Sequence, residues 1–364
     1  MFLTILIFIL VLGLLIFVHE LGHFIMAKRA GLRIEEFGFG LPPRVFGIKR
    51  GGTIYSLNLL PIGGFVKIFG ENGSKEQDSS KDKRAFYNQT LTRRAIIILA
   101  GVIMNFILAA FLLGIGHWLG LPTIIQDGQI ADFEDVRIQV AQVAPDSPAE
   151  GAEIRMGDGI KELAVDSEKL GVRTISQVQE FISIHKGEEI SITIERGEDV
   201  FKKKVLARTN FSQNEGSLGI ALVQTAIISQ PWYKAIWMGF LSALTLVGVI
   251  VITLASLVWQ LLTTGQVMIE GGGPVYIFNL TGQAAQLGFI YVLQFTAILS
   301  INLAIINILP FPALDGGRLI FLLIEKIKGS PVSQKIEGMA HTVGFVILIL
   351  FMVAITWRDM IRLF

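Results

Sequence analysis

The sequence of 364 residues contains no cysteine, and only 17% of its residues are charged. The absence of cysteine excludes disulfides, thiolate metal ligands and a cysteine nucleophile. Soluble domains usually carry about 25% charged residues, and this chain is unusually apolar, with 52% hydrophobic residues. The 31 basic and 30 acidic residues leave a net charge of +1, which provides no basic field for nucleic acid. The composition therefore predicts a membrane protein with a soluble portion.

Charged residues are missing from five long stretches of the sequence. These stretches are residues 1–19, 95–126, 235–269, 271–314 and 338–357. Because about 20 apolar residues cross the roughly 30 Å hydrocarbon core of a bilayer, each stretch is a candidate span. The first is not typical of a secretory signal peptide, since no Lys or Arg precedes Lys28 and no small-residue cleavage site follows. The pattern predicts a polytopic α-helical membrane protein.

The basic residues predict on which side of the membrane each polar stretch lies. Cytoplasmic loops are enriched in Lys and Arg, and residues 27–94 contain many of both. Those near the start of this stretch are Lys28, Arg29, Arg33, Arg44, Lys49 and Arg50. We therefore expect residues 28–92 to be a cytoplasmic segment, with the N-terminus and residues 127–234 outside.

One apolar segment does not fit this topology as a single span. Residues 235–262 are apolar enough to cross, but basic residues from Arg318 to Lys335 mark the next cytoplasmic loop. We expect this segment to be an interfacial helix or a re-entrant hairpin, within a linker of residues 209–288. The expected architecture then has about four transmembrane helices. They are residues 1–27, 93–120, 289–324 and 338–358.

Residues 128–208 are expected to form one compact α+β domain inserted between the spans. Runs of β-branched residues predict strands, and an amphipathic run that begins at Ser176 predicts a helix. The expected elements are Arg137–Val143, Ser176–His185, Glu189–Ile194 and Val200–Leu206. The segment Ala144–Ile160, APDSPAEGAEIRMGDGI, resembles the signature of PDZ domains, which bind extended peptides at a sheet edge. The alternative is an unrelated small α/β domain.

His19-Glu20-Leu-Gly-His23 is an H-E-x-x-H motif at the end of the first apolar stretch. The i, i+4 spacing places both imidazoles on one helical face, where they can share a Zn²⁺ ion. Glu20 lies next to that face and can act as general base on the attacking water. Ionisable groups at membrane depth cost roughly 3 kcal/mol or more each, which a divalent cation would offset. The alternative is a polar helix end at the cytoplasmic interface.

A catalytic zinc ion normally takes a third protein ligand. Asp315 is the preferred candidate because it ends the charge-free run Asn307-Ile-Leu-Pro-Phe-Pro-Ala-Leu-Asp315-Gly-Gly317. The two prolines and two glycines predict irregular backbone at membrane depth, which must be covered by protein or line a cavity. His341 remains an alternative at similar depth, whereas His117 and His185 are expected to lie too far away. Asp315 could instead cap a helix.

Together these residues resemble the bacterial site-2 proteases of the RseP and RasP type, in the same order and over essentially the whole chain. The resemblance implies one zinc ion held by His19, His23 and Asp315, with Glu20 as catalytic base. It also implies that Asn307 holds the substrate backbone. The segment Gly101-Val-Ile-Met-Asn105 resembles the second-span motif that packs against the active helix, and Asn105 is taken as a further substrate-binding residue.

The resemblance also implies a function. These proteases are intramembrane zinc metalloproteases of the bacterial cytoplasmic membrane. They cleave transmembrane segments of membrane proteins that an upstream site-1-type protease has trimmed, such as anti-sigma factors, and they cleave remnant signal peptides. The active site is expected toward the cytoplasm and the PDZ domain outside, where it either binds peptide C-termini or excludes untrimmed substrates. Some members have two PDZ domains, whereas this sequence predicts one.

Residues 53–69 predict a β-hairpin that turns near Pro61–Gly64 and resembles the membrane-dipping β-loop of the family. A helical substrate has its backbone amides paired internally, so it must unwind before attack. An exposed strand edge can pair with the freed backbone groups. We therefore expect Gly63, Gly64 and Phe65 to bind substrate. The alternative is a cytoplasmic hairpin that only covers the active site.

Two functions from other classes compete with proteolysis. An ion-coupled transporter could use buried histidine and aspartate for ions, but it needs no general base between two metal ligands. A membrane-anchored PDZ scaffold needs no zinc. The expected partners are otherwise the lipid bilayer and single-pass membrane proteins or signal peptides as substrates, with no nucleic acid.

Overall fold

The computed structural model describes residues 1–71, 82–125, 136–197, 199–210, 216–265 and 273–363. The α-helices in these ranges are α1 Phe2–Arg29, α2 Leu91–Leu119, α3 Pro148–Gly151, α4 Ile175–Ile184, α5 Trp232–Thr264, α6 Pro274–Leu287, α7 Phe289–Ile308, α8 Asp315–Lys328 and α9 Gln334–Leu363. The strands are β1 Ile34–Arg50, β2 Thr53–Ile68, β3 Leu121–Ile124, β4 Val136–Val143, β5 Gly159–Val165, β6 Glu168–Gly171, β7 Glu189–Arg196, β8 Asp199–Leu206 and β9 Ile220–Ile228. The chain divides into a helical unit (1–115, 236–282 and 293–364) and a sheet unit (116–235 and 283–292).

Five helices of the described chain are long and apolar enough to cross a membrane. They are α1, α2, α5, α7 and the part of α9 from Lys335 to Ile361. The expected span at 289–324 is not one helix, since α7 ends at Ile308 and α8 begins at Asp315. Pro310 and Pro312 lie in this break because proline lacks the N–H that a helix interior needs.

The segment expected to be interfacial or re-entrant is one uninterrupted helix. At a rise of 1.5 Å per residue, the 33 residues of α5 extend for about 50 Å, which is longer than the hydrocarbon core. A re-entrant hairpin needs a reversal of the chain, and α5 has none, so the hairpin alternative is wrong, whereas the interfacial helix stays a prediction. The structure thus provides five candidate spans where about four were expected. Residues 266–272, between α5 and α6, lie outside the described chain.

The helical unit is held together by close contacts at small residues. Gly22 of α1 lies on the backbone of Ala100 in α2, and a Cβ at Gly22 would collide with that carbonyl. Gly239 of α5 approaches the backbone of Ala110 and Gly114 in the same way. Small residues allow such close backbone approach between helices in lipid, where hydrophobic attraction between helices is weak. Helix α2 therefore contacts α1 along one part of its length and α5 along another.

Strands β1 and β2 form a sheet against α1 that is antiparallel except where residues 36–39 run parallel to residues 54–57. The chain reverses at Gly51–Gly52, where both residues have positive φ, as two-residue hairpin turns favour. Register shifts give Gly38 two Cα partners, Ser56 and Phe65, so the first half of β1 lies between the two halves of β2. The chain does turn between the two arms of the hairpin expected at 53–69, because the arms run in opposite directions along β1. The expected pairing of the arms with each other is wrong, since both arms pair with β1.

The sheet unit is built on seven strands in the order β3-β9-β4-β5-β7-β8, with β6 paired to β5. Alternate residues of a strand point to opposite faces, and Ile190, Ile192 and Ile194 of β7 are fully buried. They share one hydrophobic core with Val178 and Phe181 of α4. The alternating isoleucines thus fix which face of the sheet packs against the helix.

Strands β4, β7 and β8 and helix α4 lie where the sequence predicted them. Helix α4 is capped by Thr174, which forms a capping box with Gln177, rather than by Ser176. The expected end of the domain at residue 208 is wrong, because β9 pairs with β4 inside the sheet. The expected linker at 209–288 therefore includes a central strand of this unit. Residues 128–135 of the expected domain lie outside the described chain.

Two glycines of α5 allow the α2–α5 contact to be tested. Gly239→Ala places a methyl group against the α2 backbone and should destabilise the protein by about 1–3 kcal/mol, as overpacking does. Gly248→Ala is the matched control, since no atom lies within 4 Å of the added Cβ, and it should stabilise the helix by up to about 1 kcal/mol. Thermal unfolding in detergent measures both. Equal shifts for the two variants would contradict the described packing.

Candidate metal centre

Three ligand atoms from α1 and α8 converge at one point. His19 Nε2 and His23 Nε2 lie 3.1 and 3.2 Å from Asp315 Oδ2, and 3.2 Å from each other. Ligand atoms placed 2.0–2.1 Å from a tetrahedral zinc ion are separated by about 3.3 Å. The Oδ2 atom is buried and has no hydrogen-bond partner among the described residues. The spacing and chemistry of this set fit a divalent cation.

The break between α7 and α8 brings Asp315 to the histidines. Gly316 and Gly317 lie against the carbonyl groups of Leu309 and Phe311, so that a Cβ at either glycine would collide with backbone. Asp315 is the first residue of α8, and the capping position before it is Leu314, which makes no side-chain cap. The alternative that Asp315 acts as the helix cap is therefore wrong.

The backbone of α2 orients His23. Its Nδ1 lies 2.8 Å from the carbonyl oxygen of Ile97, which can only accept a hydrogen bond. Nδ1 of His23 therefore carries the hydrogen, and the lone pair of Nε2 faces Asp315. Metal-binding histidines commonly use their second nitrogen in this way. A backbone carbonyl leaves no side-chain signal, so sequence reasoning did not identify Ile97.

Asn105 contacts Nδ1 of His19, as the carbonyl of Ile97 contacts Nδ1 of His23. Its side-chain nitrogen lies 3.3 Å from Nδ1 of His19, while its Oδ1 is buried without a hydrogen-bond partner in the described chain. The two ends of an amide are assigned from the hydrogen-bond network rather than observed. Exchanging them gives Oδ1 a donor and leaves the His19 Nε2 lone pair for the metal. Asn105 is fully buried and contacts His19, and its expected contact with substrate stays a prediction.

Gly101 explains the second-span motif. A Cβ at this position would lie 2.5 Å from His23 Nε2 and 2.7 Å from His19 Cε1. One turn further along α2, Asn105 reaches Nδ1 of His19. The glycine thus makes room for the imidazoles, and the asparagine fixes one of them, which gives the Gly-x-x-x-Asn spacing a physical reason.

Glu20 lies beside the metal ligands on the wall of a cavity of about 620 Å³, which His23, Phe65 and Asp315 also line. Its Oε2 accepts a hydrogen bond of 3.0 Å from the backbone N–H of Val66 in β2. This bond holds the carboxylate at the cavity and ties the strand to α1. Because almost every residue has a backbone N–H, the sequence does not indicate that Val66 makes this contact.

The other residues expected at the site are Gly63, Gly64, Phe65 and Asn307, and their surroundings differ. Gly64 packs beside Glu20, since a Cβ there would lie 3.8 Å from Glu20 Cγ. Gly63, with φ +94°, lies on Ile16, one turn earlier in α1. Phe65 lines the cavity, whereas Asn307, half-buried in the last turn of α7, is not among the described residues that line it.

His341 supports the loop that carries Asp315. Its Nδ1 accepts a hydrogen bond of 2.9 Å from the N–H of Ala313, a non-glycine residue with φ +82°. Gly344, one turn later in α9, lies on the backbone of Pro312. The alternative of His341 as third ligand is therefore wrong, and the residue holds strained backbone two positions before Asp315.

Two polar contacts lie on the wall of the same cavity. Tyr87 donates a hydrogen bond to Glu337 of α9, and Arg318 of α8 pairs with Glu71. Burial, together with the bond to Glu337, raises the pKa of the Tyr87 phenol. Tyr87 therefore stays protonated and acts as a donor. Each contact joins two segments that are distant in sequence. Sequence reasoning used Arg318 only as a marker of the cytoplasmic loop, and it did not predict either contact.

Comparison with known proteins gives one consistent result. Residues 7–351 match the model of Peptidase family M50. A candidate zinc metalloprotease of Clostridium perfringens is 37% identical over 350 residues, which cover 95% of each protein. The zinc metalloprotease RasP of Geobacillus kaustophilus is 30% identical, with 98% of this chain and 97% of that protein covered. RasP of Shouchella clausii is 31% identical, with 99% of each covered.

The role of Asn105 can be tested with two substitutions. Asn105→Leu should weaken Zn²⁺ binding about 10–100-fold, because the Nδ1–H of His19 loses its acceptor. Asn105→Asp keeps an oxygen in the same place and should bind Zn²⁺ nearly as tightly as the unmodified protein. Competition with a chromophoric chelator measures both affinities. If the aspartate variant lost as much affinity as the leucine variant, the amide nitrogen would be the group that His19 requires.

Proposed function

The chain belongs to peptidase family M50 and is an intramembrane zinc metalloprotease, and we propose that His19, His23 and Asp315 hold its zinc ion. The observation that carries this proposal is the convergence of their three ligand atoms within 3.1–3.2 Å of one another. The scaffold and transporter alternatives are not retained, because neither requires a carboxylate base beside two metal-binding histidines.

Glu20 is the proposed general base and acid. When bound, zinc polarises the scissile carbonyl and lowers the pKa of a water molecule at the site to about 7. Glu20 accepts the proton of the attacking water and returns it to the leaving amine. Val66 N–H fixes one oxygen of this carboxylate, so the carboxylate is positioned before the substrate arrives.

The proposed substrates are transmembrane segments of trimmed membrane proteins, including anti-sigma factors and remnant signal peptides. Strand β2 passes beside Glu20 at Gly64 and Phe65, where an unwound substrate could pair with it. Exposed apolar side chains on this sheet suit contact with the bilayer, and they include Val45, Phe46, Leu57 and Leu59. Asn307 is proposed to hold the substrate backbone, by resemblance to the family.

The protein is a bacterial membrane protein, and its orientation is part of the proposal. The basic residues between α1 and α2 support a cytoplasmic position for that segment. The N-terminus and the sheet unit then lie outside, and the metal centre lies toward the cytoplasm.

The sheet unit is proposed to be a PDZ-type domain. The Ala144–Ile160 segment and the helix that packs on a sheet support this assignment. Such a domain either binds the C-terminus left by an upstream protease or excludes untrimmed substrates. Strand β3 pairs with β9 from Thr225 to Ile228, so a peptide added to the same edge of β9 would have to use the earlier residues.

Replacement of residues 136–228 by a flexible linker should separate the two roles, since β9 is then removed together with strands β4 to β8. Loss of a filter should permit cleavage of untrimmed substrate. Loss of a peptide-binding domain should slow the cleavage of every substrate. The readout is the cleavage of one substrate supplied in trimmed and untrimmed forms. An unchanged rate on both forms would contradict a role in substrate selection.

Glu20→Gln tests the catalytic assignment. This variant should retain about one zinc ion per chain and lose proteolysis of a transmembrane substrate by about 10²–10⁴-fold, the usual contribution of a general base. Glu35→Gln is the matched control, because Glu35 lies on β1 and pairs with Lys67. Zinc content and cleavage rate are measured on the same preparations. Turnover near that of the unmodified protein in Glu20→Gln would remove Glu20 from the mechanism.

A further inference from the structure

A second cavity, of about 350 Å³, lies in the helical unit and shares no lining residue with the cavity of the metal centre. Four cations from separate segments line it: Lys28 from the last turn of α1, Arg33 before β1, Lys49 at the end of β1, and Arg84 before α2. Its described lining residues include no carboxylate. We refer to it as the basic cavity.

Two of these cations are held in place by contacts that do not cancel their positive charge. Lys28 Nζ donates to the Tyr55 hydroxyl at 3.1 Å and lies 5.2 Å from the centre of the Phe24 ring. The Arg33 guanidinium lies 4.9 Å from the centre of the Phe69 ring. Aromatic rings attract a cation but leave its net charge unchanged. Both positive charges therefore stay available for an anion.

One carboxylate lies nearby and offsets at most one charge. Asp82 pairs with Arg84 at 2.9 Å. The hydrogen bonds from Arg84, with a smaller contribution from the charge of Arg33, hold the pKa of Asp82 below its usual value. With Asp82 ionised, four cations and one carboxylate leave an excess of positive charge at the cavity.

Backbone hydrogen bonds hold together the segments that form the basic cavity. Arg33 N–H donates to the carbonyl of Arg84 at 3.1 Å, and Phe69 N–H donates to the carbonyl of Arg33 at 2.9 Å. The Gly51–Gly52 turn forms a further wall. Segments that are distant in sequence are thus held together around the basic residues.

We propose that the basic cavity binds the phosphate of an anionic lipid headgroup. Lys28 belongs to the last turn of a candidate span, α1, so the cavity lies where a bilayer places its headgroups. Leu32 and Ile34 add apolar surface to the lining, which suits the glycerol part of a lipid better than a free phosphate ion. The site is independent of the zinc centre and of the proposed substrates.

The test uses the full chain in detergent, titrated with phosphatidylglycerol, with bound lipid counted by native mass spectrometry. Arg33→Gln combined with Lys49→Gln should raise the half-saturating lipid concentration roughly 25-fold, about fivefold for each cation removed. The matched control combines Arg93→Gln with Lys326→Gln. These two exposed residues carry the same charge in the same unit but do not line the basic cavity.

A loss of affinity confined to the first pair supports the site. An equal loss in both pairs would mean a diffuse positive field, and no loss in either would mean no site, so both results overturn the proposal. Displacement of the lipid by millimolar inorganic phosphate would identify a soluble anion as the ligand and would also overturn it. Lys49→Gln alone, with an expected fivefold effect, replaces the double variant if that variant unfolds at a lower temperature than the control.

Discussion

The close approach of α1 and α2 is the contact on which the rest of the structure depends. Gly22 allows the two backbones to touch, and Gly101 leaves space for the imidazoles on the facing side. At this separation Ile97 and Asn105 reach the Nδ1 atoms of His23 and His19. A wider helix pair would leave both histidines without fixed tautomers. The small residues therefore affect the metal centre by setting the distance between α1 and α2.

Buried charge explains why so many elements meet at one point. Each ionisable group at membrane depth needs compensation, and this chain provides it through groups held by neighbouring segments. Val66 of β2 donates to Glu20, and His341 of α9 holds the loop before Asp315. The groups that carry chemistry thus also tie the strands and helices of this unit to one another.

The sequence predicted the parts that depend on local pattern. His19, Glu20 and His23 follow from helical spacing, and Asp315 follows from an isolated carboxylate beside two prolines. It did not predict contacts made by backbone atoms, such as those of Val66, because a backbone N–H is the same at every residue. It also predicted a turn near Pro61–Gly64 correctly but not that β1 lies between the two arms on either side of that turn, because the pairing partner of a strand is not written in its local pattern. The hairpin alternative for residues 235–262 was wrong because charge counting shows only whether the number of membrane crossings is odd or even, and it does not show whether the segment is one continuous helix.

The break between α7 and α8 has a consequence for synthesis of the protein. The two histidines belong to α1, and Asp315 belongs to α8. Because a chain is made from its N-terminus, α1 is made long before α8. The growing chain therefore holds two of the three proposed zinc ligands until α8 is made, and it acquires the complete proposed set only then.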